Sequence, residues 1–195
     1  MNTSEAQETL EQLEANQFEA LYRCRWDTER AADVVPLLVS CLGVADTKVL
    51  HKALLALFRI GPAAHSAADA VIRLMFHPDT LICEVATHTL GGVCCHCPER
   101  AIKPLAQVTL DPKLQKAALF SLIGLGRGAA PAAPVFVASF ESRDARIRRL
   151  AVRGLARSGA KRSVAGPILS RALKDRNGQV RAAAERLARA LDEKK

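Results

Sequence analysis

Apolar positions recur along this chain with two nested periods. Within short windows they return every three or four residues, the spacing of one face of an α-helix, and the whole window then returns after 32 or 33 residues. The clearest window runs from Asp144 to Gly159. Its aliphatic anchor Ile147 has counterparts at Val49, Ile82, Leu114 and Val180, separated by 33, 32, 33 and 33 residues. Four residues after each anchor comes alanine (Ala53, Ala86, Ala118, Ala151, Ala184), and three before it a capping side chain (Asp46, Asp79, Asp111, Asp144, Asn177). Eight after it stand Leu57, Leu90, Leu122 and Leu155, with Ala188 breaking the pattern. A period of this size marks a repeat architecture, in which each unit buries its apolar face on its neighbours.

Each window predicts a helix B, opened by the Asp or Asn side chain on free amides and closed near Gly61, Gly126 and Gly159 by a left-handed turn. Ahead of it a helix A is marked by proline or alanine followed six residues later by a large apolar residue. The pairs are Pro36 with Leu42, Ala70 with Phe76, Pro104 with Leu110, Pro134 with Phe140 and Pro167 with Leu173. Proline suits the first turn of a helix, where a missing amide hydrogen costs nothing. In the third unit Leu110 adjoins Asp111 directly, which predicts a tighter turn or local kink. Residues 4–30 read as a degenerate helical pair capping the first unit. Ser4 and Glu5, Glu8, Glu11 and Glu14 open it, with Leu10 and Leu13 on one side and Phe18, Leu21, Tyr22 and Arg25 at helical spacing further on. The expected organisation is therefore a cap over 1–30 and a repeat domain over 31–195, with units near 31–62, 63–97, 98–128, 129–161 and 162–195.

Five helix pairs, an Asp before an aliphatic, and alanine followed by Leu or Leu-Gly in helix B resemble HEAT-like repeats, most closely the short phycobilisome-lyase type. The resemblance covers residues 31–191 and implies an all-α, right-handed α-solenoid whose B helices line a concave surface. It also implies that the arginine one residue after the anchor, present here as Arg148 and Arg181, bonds an acid of a neighbouring unit, for which Asp175 is placed. The first three units depart from that pattern with Leu50, Cys83 and Gln115. Ankyrin repeats share the period, but their Thr-Pro-Leu-His turn is missing.

Composition adds a direction to this picture. Apolar residues are 49% and aromatics only 4%, which suits close helix packing. The longest aliphatic or aromatic run, Ala53 to Phe58, is too short to span a bilayer. No basic region followed by an apolar segment opens the chain, so neither membrane insertion nor a secretory signal is expected. Six cysteines confined to the N-terminal half do not form a disulfide framework, and a reducing cytoplasm is the expected home. Charge is uneven within the net +8. Residues 1–140 carry 12 Lys and Arg against 14 Asp and Glu, whereas residues 141–195 carry 16 against 6. A partner selected by charge should meet the C-terminal end.

Positions two, six and ten residues after each anchor lie off the core face, and by the HEAT resemblance they line the groove. They are His51, Glu84, Lys116, Arg149 and Ala182; Leu55, His88, Phe120, Arg153 and Arg186; and Arg59, Gly92, Gly124, Arg157 and Ala190. Lys116, Arg149, Arg153, Arg157 and Arg186, with Arg189 beside them, form a candidate basic strip for an acidic protein surface or a phosphate backbone. Leu55, Phe58, Phe120 and Ile123 widen the apolar face into a candidate anchor for a partner helix. Cys94 and Cys97 have the two-residue gap of a zinc knuckle, with His88, His96 or Cys83 as further candidate ligands, yet the second ligand pair of such a site is missing. No adjacent His-Glu pair of the HEAT-like di-iron hydroxylases occurs, and the single tryptophan, Trp26, lies in the cap rather than in a groove.

The expectation is a non-enzymatic scaffold or adaptor without cofactor. It grips a protein partner through basic and apolar groove residues, alone or as a subunit of a larger complex. The alternatives are non-specific nucleic-acid binding along the arginine strip, against which the scarcity of stacking aromatics counts for single strands, and a small metal or redox protein built on Cys94 to Cys97.

Overall fold

The computed structural model describes residues 28–192 and, ahead of them, positions 2, 4, 5, 7, 8 and 11. Among the described residues there are helices and turns and no strand. The chain divides into two compact units, residues 1–100 and 101–195.

In the first unit, α1 (Thr28–Cys41) precedes α2 (Thr47–Ile60). A 3-10 stretch, Gly61–Ala67, then runs into α3 (Ala68–Leu74), and α4 (Thr80–Val93) follows. Helices α2 and α4 pack side by side, with α1 against α2 and α3 against α4. Leu50, Leu54, Leu57, Met75, Ile82 and Leu90 are fully buried between them. The Thr89 hydroxyl ties α4 to α2 by donating to the Leu54 carbonyl at 3.1 Å. The second unit follows the same plan. It holds α5 (Glu99–Val108) across its start, α6 (Gln115–Gly124), a 3-10 stretch Gly126–Ala132 leading into α7 (Ala133–Ser139), α8 (Ala145–Ser158), α9 (Arg162–Ala172) and α10 (Gly178–Asp192). Helix α8 is its centre, packing against α6, α7 and α10.

The caps are where the repeat places them. Asp46, Asp79, Asp144 and Asn177 each accept a hydrogen bond from the amide two residues on, at 2.7–2.9 Å. Asp111 does so too, from Lys113 at 2.8 Å, but it closes a turn and not a helix end. Its carbonyl takes the amides of Leu114 and Gln115, and α6 starts only at Gln115. The tight connection expected in the third unit is therefore a non-helical turn. Gly61, Gly126 and Gly159 are the described residues with positive φ; Gly159 closes α8 in the left-handed conformation as expected, whereas Gly61 takes ψ −134° and α6 ends ahead of Gly126.

Two expectations change. Pro36, Pro104 and Pro167 lie inside α1, α5 and α9, and Pro134 alone is in a first turn. The A helices begin earlier than their prolines suggest, because burial along the helix, as of Val34, Val35, Leu38 and Cys41 in α1, outweighs one forfeited backbone bond. At the other end of the chain, Leu187 is fully buried and Ala188 half-buried. The last unit fills the deep leucine slot one residue early, which accounts for the break at Ala188.

Most of the proposed cap over residues 1–30 lies outside the described residues. Its start is a capping box set ahead of Ser4. The Glu5 amide donates to Asn2 Oδ1 at 2.8 Å, and the Asn2 amide returns a bond to Glu5 Oε2 at 2.9 Å.

Candidate functional site

In α8 the repeat puts Ile147, Leu150, Ala151, Gly154, Leu155 and Ser158 into the core, which leaves Arg153, Ala156 and Arg157 on the opposite side. Helices α6 and α10 flank α8 and carry Phe120, Ile123 and Gly124, and Ala183 and Arg186. Together these eight residues line a groove of about 360 Å³. Space exists there because the backbone-near positions are small: a β-carbon at Gly124 would meet nothing within 4 Å, and Ala156 and Ala183 add one carbon each. Phe120, 37% exposed, supplies apolar surface beside the nearly buried Ile123.

The polar members of the groove are all cations. Among the described residues Arg153, Arg157 and Arg186 make no hydrogen bond or ion pair. Three acids of this unit are engaged elsewhere: Glu141 with Arg171 at 2.6 Å, Asp192 with Arg162 at 3.1 Å, and Asp175 with Arg148 at 2.7 Å. Residues 101–195 carry 20 Lys and Arg against 7 Asp and Glu, so the uncompensated charge is large. An apolar recess flanked by guanidinium groups has chemistry complementary to a carboxylate beside an apolar side chain, since an arginine can take a carboxylate in two parallel hydrogen bonds.

The structure thus brings Phe120, Arg153, Arg157 and Arg186 together. Lys116 and Arg189 are exposed on α6 and α10 without lining the groove, and Arg149 is half-buried with its Nε unpartnered. Leu55 and His88 are half-buried in the first unit, on α2 and α4. Burial lowers the imidazole pKa of His88, opposed by Glu84 one turn earlier. Ala156 and Ala183 went unnoticed in the sequence. The available signal was their size: an alanine that faces a neighbouring helix leaves a hollow, but this shows only once the neighbour is known.

The zinc-knuckle candidates do not assemble. Among the described residues no three His, Cys, Asp or Glu side chains form a metal ligand set. Cys94 is buried, and burial together with the nearby Cys97 pushes its thiol up to about 12, so it holds its proton at neutral pH. Cys83 points its thiol to the His77 carbonyl at 2.8 Å, and His96 is exposed.

Arg148 is the buried exception among the arginines. Its Nε and Nη2 grip both oxygens of Asp175 at 2.7 and 2.9 Å, while Nη1 donates to the carbonyls of Ser142 and Arg143, each at 3.0 Å. The Asp175 carboxyl is held below its usual range by this guanidinium, and the two side chains are 8–10% exposed. This is the bond to an acid of the following repeat that the resemblance implied for Arg148. Arg181 repeats the backbone half of the arrangement, with Nη1 on the carbonyls of Asp175 and Arg176.

With this geometry in hand, the chain is similar to several solved structures. An engineered protein aligns with a TM-score of 0.67 at 18% identity over 97% of each chain. A designed armadillo repeat protein, solved in complex with the peptide (KR)4, aligns with a TM-score of 0.67 at 14% identity, over 94% of this chain and 98% of that one. The fold is a helical-repeat solenoid. A second engineered protein aligns with a TM-score of 0.63 at 21% identity over 81% of this chain, which spans 47% of that one. No protein-family model and no curated protein matches the chain. No helix among the described residues is long and apolar enough to cross a membrane.

Proposed function

We propose that this protein is a non-catalytic scaffold or adaptor, built from HEAT-like repeats of the phycobilisome-lyase type, that grips an acidic segment of a protein partner in the groove of α6, α8 and α10. The observation that carries the reading is the ring of Arg153, Arg157 and Arg186, unpaired and set around an apolar recess at Phe120. The buried Arg148–Asp175 ladder supports the repeat type. The designed armadillo neighbour is in complex with a basic peptide; the groove here is itself basic, so an acidic ligand is the complementary choice. Excess positive charge speeds encounter, and the apolar side chain against Phe120 sets residence time.

The test is capture of partners from the native extract by the wild-type chain and by R153E/R157E/R186E, each with and without nuclease. A defined protein retained after nuclease and lost in the triple variant supports the scaffold reading. Retention of nucleic acid alone, with protein lost on nuclease treatment, overturns it and makes the arginines a phosphate-binding surface.

A further inference from the structure

The turn that ends α4 brings two sulfurs together. Cys94 follows the last residue of α4, its amide donating to the Leu90 carbonyl at 3.1 Å, and the Cys97 amide then donates to the Cys94 carbonyl at 3.0 Å. A turn closed by that bond holds its first and fourth Cα atoms within about 7 Å, and a disulfide needs them about 4.4–6.8 Å apart. The two thiols are near enough to hydrogen-bond each other. Pro98, its φ fixed by the ring, limits how far the turn can open. The two cysteines differ in what can reach them: Cys97 is half-buried, whereas Cys94 has no exposed surface. Arg100 is held beside the turn by Asp69 at 2.9 Å and by the His65 carbonyl at 3.2 Å, and its charge acts on both sulfurs. A fixed cation there stabilises the negative charge that passes between sulfurs during thiol–disulfide exchange. Among the described residues no third ligand joins the pair to hold a metal, but a disulfide needs none.

We propose that Cys94 and Cys97 form a dithiol–disulfide couple for a low-molecular-weight disulfide of the glutathione type, which Cys97 attacks and Cys94 resolves. In the first step Cys97 gives its proton to solvent and its sulfur bonds one sulfur of glutathione disulfide. The S–S bond of the small molecule breaks, and the departing glutathione takes a proton. In the second step the Cys94 sulfur bonds the Cys97 sulfur, and its proton passes to the second departing glutathione. Two protein thiols are thereby oxidised to one disulfide, while one glutathione disulfide is reduced to two glutathione thiols. Cys94 needs no access to solvent, because the sulfur it attacks is already beside it. Burial together with the nearby Cys97 pushes the Cys94 thiol up to about 12, which keeps it from reacting first, and a thiolate of high pKa is the stronger nucleophile once formed. The pair lies in the first unit, and neither cysteine lines the α6–α8–α10 groove.

The experiment incubates the fully reduced, full-length chain with glutathione disulfide at neutral pH and then blocks the remaining thiols under denaturing conditions. Mass spectrometry of the digest maps free thiols, glutathione adducts and disulfides. Wild type should lose two hydrogens, carry the bond between Cys94 and Cys97 with no glutathione left on either, and return to the dithiol in excess reduced glutathione. C94A should stop after the first step, with glutathione retained on Cys97. C97S should leave the Cys94 thiol free, and C95S should form the bond as wild type does. Circular dichroism melts check that the variants fold; if C94A does not, wild type and C97S, which alters a half-buried residue, decide the matter.

A wild type that keeps both thiols free, or that accumulates glutathione on Cys97 in place of the bond, overturns the proposal. So does a bond that joins either cysteine to Cys83, to Cys95 or to a second copy of the chain, or one that C95S abolishes.

Discussion

Substitution of Gly154 by alanine tests how tightly the centre of the second unit is packed. Gly154 lies within α8 with Phe136 of α7 against it, and Phe136 has no exposed surface. A β-carbon at Gly154 would overlap the Phe136 ring. The ring cannot swing into solvent, so either it leaves a preferred rotamer or α7 and α8 move apart; overpacking of this kind costs about 1–3 kcal/mol, occasionally more. Replacing glycine within a helix also returns about 1 kcal/mol of propensity. Because three ring carbons of Phe136 would lie within 2.6 Å of the added carbon, the cost falls in the upper part of that range, about 2–3 kcal/mol; the balance is a loss of about 1–2 kcal/mol, which for a chain of this length lowers the melting temperature by roughly 2–8 °C. Gly124 is the internal control. It is the last residue of α6, is followed by leucine rather than proline, and a β-carbon there would meet nothing within 4 Å, so G124A should keep part of the propensity gain and melt at or above wild type. Both are read by thermal unfolding followed at the helical circular dichroism band. A G154A protein that melts at or above wild type would refute the packing argument, because propensity would then be the larger effect.

Four further outcomes follow from the same geometry. D175N leaves Arg148 buried without its carboxylate and should cost about 3–5 kcal/mol in denaturant unfolding, whereas a loss below 1 kcal/mol would place the pair in water. Because the folded pKa of Asp175 is depressed below its ordinary 3.8, its share of stability is present above that value and is lost as pH falls through the folded value. Acid unfolding of wild type should therefore be steeper than that of D175N in this range. E141Q, which breaks an exposed pair, should leave the melting temperature nearly unchanged and its effect should vanish in salt. Cys94, with its thiol pushed up to about 12, should resist alkylation at neutral pH until denaturant is added; mass mapping of native protein that finds it labelled as fast as the half-buried Cys95 would contradict its burial.

F120A and R186E alter exposed or half-exposed groove residues, so they should weaken partner capture while leaving the melting temperature within about 2 °C of wild type. A large stability loss in either would mean that the residue holds the fold rather than a ligand.

Much of this protein was legible in the chain alone. Regular spacing of Ile147 and its counterparts, with a capping side chain three residues ahead and a buried alanine four behind, determines the B helices, because helical geometry translates a period of three to four residues directly into a buried face. The Arg148 ladder was legible through resemblance, as a single residue offset. Three things required the tertiary structure. The A helices extend past their prolines because burial decides helix length where local propensity argues for a stop. Leu187 rather than Ala188 fills the last core slot because the deep position is set by the neighbouring helix. The groove exists because Gly124, Ala156 and Ala183, on three different helices, come to one place beside Phe120 and leave a space among Arg153, Arg157 and Arg186. A sequence states which face of each helix is apolar, but a hollow is defined by what several helices jointly leave out, and that depends on contacts between residues far apart in the chain.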